Sequence, residues 1–172
     1  MQGGICINQG KIFETNWRKS IPDNVYYVRI KDSPSSFSQD SGSVRFTLNN
    51  PYDSFIFYNG RLFPIELKST QGTSISIQRD KSEKGKMIKL HQIEGLFKAS
   101  LYDGIKAGFL FDFRSSEHTY WLDIVDFKRF IDSCEKKSIN ENDVINFGGV
   151  KINKRKKKIH YVYEVLELLK VI

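Results

Sequence analysis

The order of elements predicted along this 172-residue chain places it in the α/β class, with a mixed central sheet flanked by helices. Three observations predict this class. Runs rich in aromatic and β-branched residues are typical of strands, stretches with helical spacing of apolar residues separate them, and a hydrophobic fraction of 40% is that of a globular chain. Because the length suits one hydrophobic core, we expect a single domain over residues 1–172.

The first two elements are a helix and a strand. In "GKIFETNWRKSIP", Pro22 ends a pattern of apolar residues at helical spacing, namely Ile12, Phe13, Trp17 and Ile21. "NVYYVRIK" predicts a strand. A flexible Ser-rich loop follows at about residues 32–50, too short for an interdomain linker.

A β-hairpin is predicted for "NPYDSFIFYNGRLFPIELKST", which runs from Asn50 to Thr70. Asn-Gly between two apolar runs is a strong signal for a two-residue type I′ turn, and such a turn fixes the register of the strands. With Asn59 and Gly60 as the turn, Tyr58 faces Arg61. Pro64 then faces Phe55, where its missing amide requires a bulge or an unpaired position.

The second half of the chain again contains predicted helices and predicted strands. "MIKLHQIEGLFKASLYDG" predicts a helix, "AGFLFDFR" and "HTYWLDIV" predict two strands, and "DFKRFIDSCEKK" predicts an amphipathic helix. "SINENDVINFG" predicts a short helix with Ser138 as N-cap and Glu141 at capping-box spacing. The stretch "KINKRKKKIH" is expected to form a basic loop, and Asp112 is expected to face solvent.

The hairpin register brings three charged residues onto one face. Counted back from the turn, Asp53 stands across from Glu66, with Cβ atoms about 4.5–5.5 Å apart. Lys68 lies two positions beyond Glu66, hence on the same face. Facing carboxylates repel, and a divalent cation such as Mg²⁺ with oxygen ligands removes that repulsion. An alternative stays open, in which the residues form a Glu–Lys ion-pair cluster at a surface edge.

Such a metal site would suit phosphodiester hydrolysis. A bound ion lowers the pKa of a coordinated water, which can then attack a phosphodiester. The ammonium of Lys68 can hold that water or stabilise charge in the transition state.

The charge of the chain indicates a polyanionic partner. Its formal net charge is +7, and two segments, "RDKSEKGKMIK" and "KINKRKKKIH", carry much of the surplus. Nucleic acid is the first candidate and acidic lipid the second. The predicted DNA contacts are Arg79, Lys81, Lys84, Lys86, Lys154, Arg155, Lys156, Lys157 and Lys158. Ser69 and Thr70 are expected to hydrogen-bond a phosphate, and Phe37, in the Ser-rich loop, to wedge between unstacked bases.

Other features narrow the class of protein. No apolar run approaches the roughly 20 residues of a membrane span. The first ten residues lack the basic start and apolar core of a signal peptide. Cys6 and Cys134 form neither a disulfide framework nor a zinc pattern. We therefore expect a cytoplasmic protein without a membrane partner.

The hairpin motif resembles that of the PD-(D/E)XK nuclease superfamily, in which an acidic residue opens one strand and Glu/Asp-x-Lys lies on the next. More narrowly, the blocks "GKIFETNWRKSIP", "D-x(5)-NGR-x(4)-ELKST", "HQIEGL" and "KKSINENDVINFGG" resemble, in order, those of RecU. RecU is the Holliday junction resolvase family of Gram-positive bacteria and their phages. The resemblance spans about Gly10 to Leu169.

The resemblance implies a restriction-endonuclease-like fold and a set of site residues. Asp53, Glu66 and the carbonyl of Leu67 would ligate Mg²⁺ or Mn²⁺, and Lys68 would be the catalytic lysine. Glu14 would support the site through a metal-bound water, and Gln92 would orient the Lys68 side of the site or the phosphate. Family members act as homodimers that nick opposed strands of a four-way DNA junction.

The sequence departs from the family in two places. The loop that forms a stalk in the family is shorter here, and the segment from Arg79 to Lys89 is longer and more basic. Two alternatives to a resolvase therefore stay open: a restriction- or repair-type nuclease acting on duplex DNA, and a non-catalytic DNA-binding recombination factor.

Overall fold

The structure is a computed structural model that describes residues 8–30 and 50–172. Phe37 and most of the predicted Ser-rich loop lie outside these ranges. The described helices are α1 (Gln9–Ser20), α2 (Leu90–Ser100), α3 (Ile124–Ser133), α4 (Glu141–Asn146) and α5 (Val165–Val171). The described strands are β1 (Tyr26–Arg29), β2 (Ser54–Tyr58), β3 (Arg61–Thr70), β4 (Ser74–Ser76), β5 (Gly108–Phe113), β6 (His118–Asp123), β7 (Ser138–Asn140), β8 (Val150–Lys151), β9 (Lys154–Lys157) and β10 (His160–Tyr163).

A six-stranded mixed sheet organises the fold, in the order β1-β2-β3-β5-β6-β8. β3 and β5 run parallel, and α2 lies between them in the chain, whereas the other neighbouring strands are antiparallel. The predicted fold class, a mixed central sheet flanked by helices, is confirmed. Two small two-stranded sheets, β4 with β7 and β9 with β10, accompany the central sheet.

The Asn-Gly hairpin forms with the predicted register. Asn59 and Gly60 have φ values of 53° and 76°, the positive values that a type I′ turn needs. The strands then pair from Tyr58–Arg61 to Ser54–Ile65. Hydrogen-bonded and non-hydrogen-bonded pairs alternate from the turn, so Pro64 falls at a non-hydrogen-bonded position opposite Phe55. The proline therefore removes no hydrogen bond to β2 and does not shift the register.

The sheet is covered on both faces, which gives the domain two apolar cores. The core beneath α2, α3 and α4 contains, among others, Ile93, Leu96, Phe109, Phe111 and Phe127. The core beneath α1 and α5 contains, among others, Phe13, Trp17, Ile65, Leu67 and Leu110. Because side chains alternate along a strand, the residues on either side of Leu67 face α2. β3 thus places Glu66 and Lys68 on the α2 face.

Two local predictions are wrong. The N-cap of α4 is Asn140, which forms a capping box with Asp143, and Ser138 instead begins β7. The basic stretch expected to be a loop is the β9–β10 hairpin, in which Tyr163 pairs with Lys154. The alternating aromatic residues Tyr161 and Tyr163 supply the strand signal there. Among the described helices, none is both long and apolar enough to span a bilayer.

Candidate active site

Asp53 lies at the point where β2 begins, and the sheet holds its backbone on both sides. Its carbonyl accepts from the Ile30 amide at 2.8 Å, and its own amide donates to the Ile65 carbonyl at 3.1 Å. Its side chain reaches further along β3, where Oδ2 accepts from the Leu67 amide at 2.8 Å. The Asp53 carboxylate therefore replaces the backbone partner that β3 lacks beyond the end of β2.

The same hydrogen bond fixes the direction of the Leu67 carbonyl. In an extended strand, the N–H and C=O of one residue point towards the same neighbouring strand. Since the Leu67 amide points towards Asp53, its carbonyl also points past the end of β2. A carboxylate and a backbone carbonyl, both hard oxygen donors, thus lie on the same side of β3.

Glu66 is the buried carboxylate of the site, with only 1% of its surface exposed. Its Oε1 accepts from Lys68 Nζ at 2.7 Å and from Gln92 Nε2. Its Oε2 is also buried, but has no hydrogen-bond partner among the described residues. Burial, together with the nearby Asp53 carboxylate, raises the pKa of Glu66 to about 8 against the opposing effect of Lys68.

The Gln92 amide is oriented by the start of α2. Gln92 is the third residue of the helix, and its Oε1 accepts from the Lys89 amide at 2.9 Å, as in a capping box. With its oxygen occupied in this way, the amide presents its NH₂ group to Glu66. His91 lies beside it, and burial together with the charges of Lys68 and Lys89 lowers the pKa of this histidine.

The structure therefore brings together the side chains of four predicted site residues, Asp53, Glu66, Lys68 and Gln92, around the Leu67 backbone. Glu14 lies on α1, where it forms an ion pair with Arg29 of β1. Within residues 8–30 and 50–172, no three His, Cys, Asp or Glu side chains cluster closely enough to hold a metal ion. Glu14 therefore does not join the two other acids as a third direct ligand in this arrangement.

Three of the residues predicted to contact DNA form hydrogen bonds within the protein. Arg79 donates to the carbonyls of Ile131, Cys134 and Lys136, and so closes the end of α3. Ser69 faces away from Lys68 and donates to Asp112. Thr70 is mostly buried and accepts from the Gly72 amide.

Lys154 also has partners within the protein. Its side chain is only 9% exposed, and its Nζ contacts Asp112 Oδ1 at 3.0 Å and Thr119 Oγ1 at 2.9 Å. This ammonium is held within the protein, and its contact with DNA stays a prediction. The other predicted cations are exposed or half-buried, namely Lys81, Lys84, Lys86, Arg155, Lys156, Lys157 and Lys158.

The expectation that Asp112 faces solvent is wrong, since it is 5% exposed. It accepts hydrogen bonds from Ser69, Thr119 and Lys154 on the face of the sheet that α1 and α5 cover. The sequence does contain a signal for the burial of Asp112. β5 carries Phe109 and Phe111 on one face and Leu110 on the other, and a strand that is apolar on both faces lies inside the sheet.

A solved structure with a partly similar fold is Hjc of Archaeoglobus fulgidus, a Holliday junction resolvase from an archaeal hyperthermophile. The match has a TM-score of 0.46 and 13% sequence identity, and it covers 83% of this chain and 92% of that chain. With this TM-score and identity, the match assigns no function to this chain.

Sequence comparison identifies one family relationship. No protein-family model matches the chain. The SPbeta prophage-derived uncharacterized protein YotM of Bacillus subtilis (strain 168) is 37% identical over 174 residues, which covers 94% of this chain and 85% of YotM. The match extends over nearly the whole chain. The chain therefore belongs to the same family as the prophage protein YotM.

Proposed function

We propose that this protein is a metal-dependent endonuclease that resolves four-way DNA junctions. One observation carries the proposal: Glu66 Oε2 is buried without a donor in the described part of the chain, and the Asp53 carboxylate lies close enough to raise the pKa of Glu66. A buried carboxylate oxygen without a donor is costly, and a cation is the ligand that removes the cost for both acids at once.

The donors present fit Mg²⁺ or Mn²⁺. Asp53, Glu66 and the Leu67 carbonyl would hold the ion, all through oxygen, which is the ligand type that these hard cations prefer. When bound, the ion would supply Lewis acidity towards a phosphodiester and towards the attacking water. Among the described residues, two acids approach one another here, which suits an ion that completes its shell with water and phosphate oxygens.

Lys68 and Gln92 would act beside the ion. Lys68 Nζ, 2.7 Å from Glu66 Oε1, is placed to donate to a phosphate oxygen or to orient water as charge develops. Gln92 would keep Glu66 Oε1 engaged, so that Oε2 is the oxygen offered to the ion. A contribution from Glu14 through a water remains a prediction.

The choice of a four-way junction comes from the sequence resemblance to RecU, and the exposed cations support a DNA substrate. The β9–β10 hairpin offers Arg155, Lys157 and Lys158, while Lys81 and Lys84 lie on the loop before α2. Cations on two separate loops suit contact with a DNA backbone. We include the homodimer in the proposal on the basis of the same resemblance, and the cytoplasmic location on the basis of the sequence analysis.

The deciding experiment compares cleavage of a synthetic four-way junction with that of the linear duplexes of its arms, with and without Mg²⁺. We expect paired nicks in the junction only with metal, and their loss in Asp53→Ala with junction binding retained in metal-free buffer. Asp103→Ala is the matched control, since this exposed acid lies in the turn before β5. Equal rates on junction and duplex would reject the resolvase in favour of a duplex nuclease.

A non-catalytic recombination factor is the remaining alternative. It predicts junction binding without nicks under any metal condition, and equal behaviour of Asp53→Ala and the unmodified protein. The complete set of Asp53, Glu66 and Lys68 argues against it, because a binding module has no need for a buried carboxylate without a donor.

A further inference from the structure

We infer that Gly95 is a positioning residue of the site, which sets how closely α2 approaches the segment carrying Asp53. The inference rests on the proposed function. It concerns a residue that contacts none of the reacting groups and acts through the placement of Gln92 and Asp53.

The contact at Gly95 is too close for any side chain. A Cβ atom placed there would lie 2.3 Å from Pro51 Cβ, 3.1 Å from Pro51 Cα and 3.3 Å from the Pro51 carbonyl oxygen. Real Cβ atoms essentially never approach another heavy atom within 3.0 Å. Pro51 cannot relieve the clash by a rotamer change, since its ring is closed onto its own backbone. A methyl group at position 95 must therefore separate the helix from the segment.

Both sides of this contact carry site residues. Gly95 follows Gln92 by three positions, so the two lie on the same face of α2. Pro51 precedes Asp53 by two residues, and the backbone of Asp53 is hydrogen-bonded to Ile30 and Ile65. Displacing α2 moves Gln92 away from Glu66, and displacing the segment moves Asp53 instead.

The rest of α2 leaves little slack for such a movement. Ile93 and Leu96, on either side of Gly95 in the sequence, are 5% and 0% exposed in the core beneath the helix. Glycine is a poor helix former, so its place in the middle of α2 goes against local helix propensity. Close packing against Pro51 supplies the reason for it.

The first test is Gly95→Ala, with nicking of a four-way junction followed as a function of Mg²⁺ concentration. A displacement of this kind can cost up to about 10²-fold in rate. We expect at least about a tenfold loss in rate or in apparent metal affinity, with junction binding in metal-free buffer unchanged. A merely structural glycine would leave the metal dependence of the folded protein unaltered.

Gly149→Ala is the matched control. A Cβ atom there would lie 2.5 Å from Val144 Cγ1 and 2.7 Å from the Val144 carbonyl oxygen, a clash of similar severity between α4 and the residue before β8. We expect this variant to lose stability but to keep the Mg²⁺ dependence of the unmodified protein. An equal change of metal dependence in both variants would overturn the inference.

Second-site variants test the contact itself. Pro51→Gly removes the Cβ that a methyl at position 95 would meet, whereas Pro51→Ala retains it. We expect Gly95→Ala/Pro51→Gly to recover nicking relative to Gly95→Ala, and Gly95→Ala/Pro51→Ala not to recover it. The same order of recovery in folding decides the case if Gly95→Ala does not fold, and equal recovery by both double variants would overturn the inference.

The outcomes separate this inference from the proposed function. If the unmodified protein does not nick DNA with any metal, the proposed function fails. If it nicks and Gly95→Ala nicks at the same rate with the same metal dependence, only the role of Gly95 is rejected.

Discussion

Two buried carboxylate–lysine pairs lie on opposite faces of the same sheet, and they differ in how their oxygens are satisfied. On the α1 face, Asp112 Oδ1 accepts from Lys154 at 3.0 Å and from Thr119 at 2.8 Å, and its Oδ2 accepts from Ser69 at 3.0 Å. On the α2 face, both donors to Glu66 converge on Oε1 and leave Oε2 without a partner in the described structure.

The difference separates a structural ion pair from a site prepared for a ligand. A buried charge is tolerated when each oxygen has a donor, as around Asp112. Glu66 instead keeps an oxygen without a donor in the described structure, and burial together with the nearby Asp53 carboxylate raises its pKa to about 8 despite the opposing effect of Lys68. Four variants test this contrast, and we describe them from the largest expected effect to the smallest.

Glu66→Gln should nearly abolish nicking. The substitution keeps the shape and hydrogen-bonding capacity of the side chain but removes a charged oxygen from the proposed metal site. We expect a rate loss of roughly 10³-fold, comparable to the upper range for removing a group that stabilises charge in a transition state. Single-turnover nicking of a four-way junction at saturating Mg²⁺ measures it.

The same variant should cost little stability, because the carboxylate that it replaces is only half satisfied. Thermal unfolding in metal-free buffer checks this. If Glu66→Gln unfolds as readily as Asp112→Asn, or if it nicks normally, the Glu66–Lys68 pair is a structural ion pair.

Asp112→Asn should have the largest effect on stability. It leaves the Lys154 ammonium buried without its counter-charge, and breaking a buried pair in this way costs about 3–5 kcal/mol. Denaturant unfolding measures the loss. At a temperature where the variant remains folded, we expect a nicking rate close to that of the unmodified protein. A stability loss below about 1 kcal/mol would show that the pair is not the closed structural network described here.

The contrast between the two pairs also marks the limit of what the sequence predicts. The Asn-Gly turn fixes the hairpin register, so the common face of Asp53, Glu66 and Lys68 could be derived from counting residues. Asp112 and Lys154 are 42 positions apart, and no local pattern relates them. Their pairing depends on how the β9–β10 hairpin packs on the sheet, and a run of basic residues predicts exposure for all its members alike.

Gln92→Ala should have an intermediate effect. Without the NH₂ group of Gln92, Glu66 Oε1 keeps Lys68 as its one donor among the described residues. The carboxylate can then rotate and offer either oxygen to Lys68. Removing an outer group that orients a metal ligand costs about 10–100-fold in metal affinity or activity. The Mg²⁺ concentration at half-maximal nicking should rise accordingly. Gln78→Ala gives a control near the same helix end, since Gln78 bonds the Leu90 amide and not Glu66.

The smallest effect is expected from the exposed cations of the hairpin that also carries Lys154. Arg155→Gln/Lys157→Gln removes two charges that face solvent, so it should weaken junction and duplex binding alike and leave the maximal nicking rate unchanged. Each lost phosphate contact should lower the slope of log affinity against log salt by about 1. Electrophoretic mobility shifts over a salt series measure the slope, with Lys170→Gln on α5 as the control. A slope that does not change would exclude the β9–β10 hairpin from the DNA-binding surface.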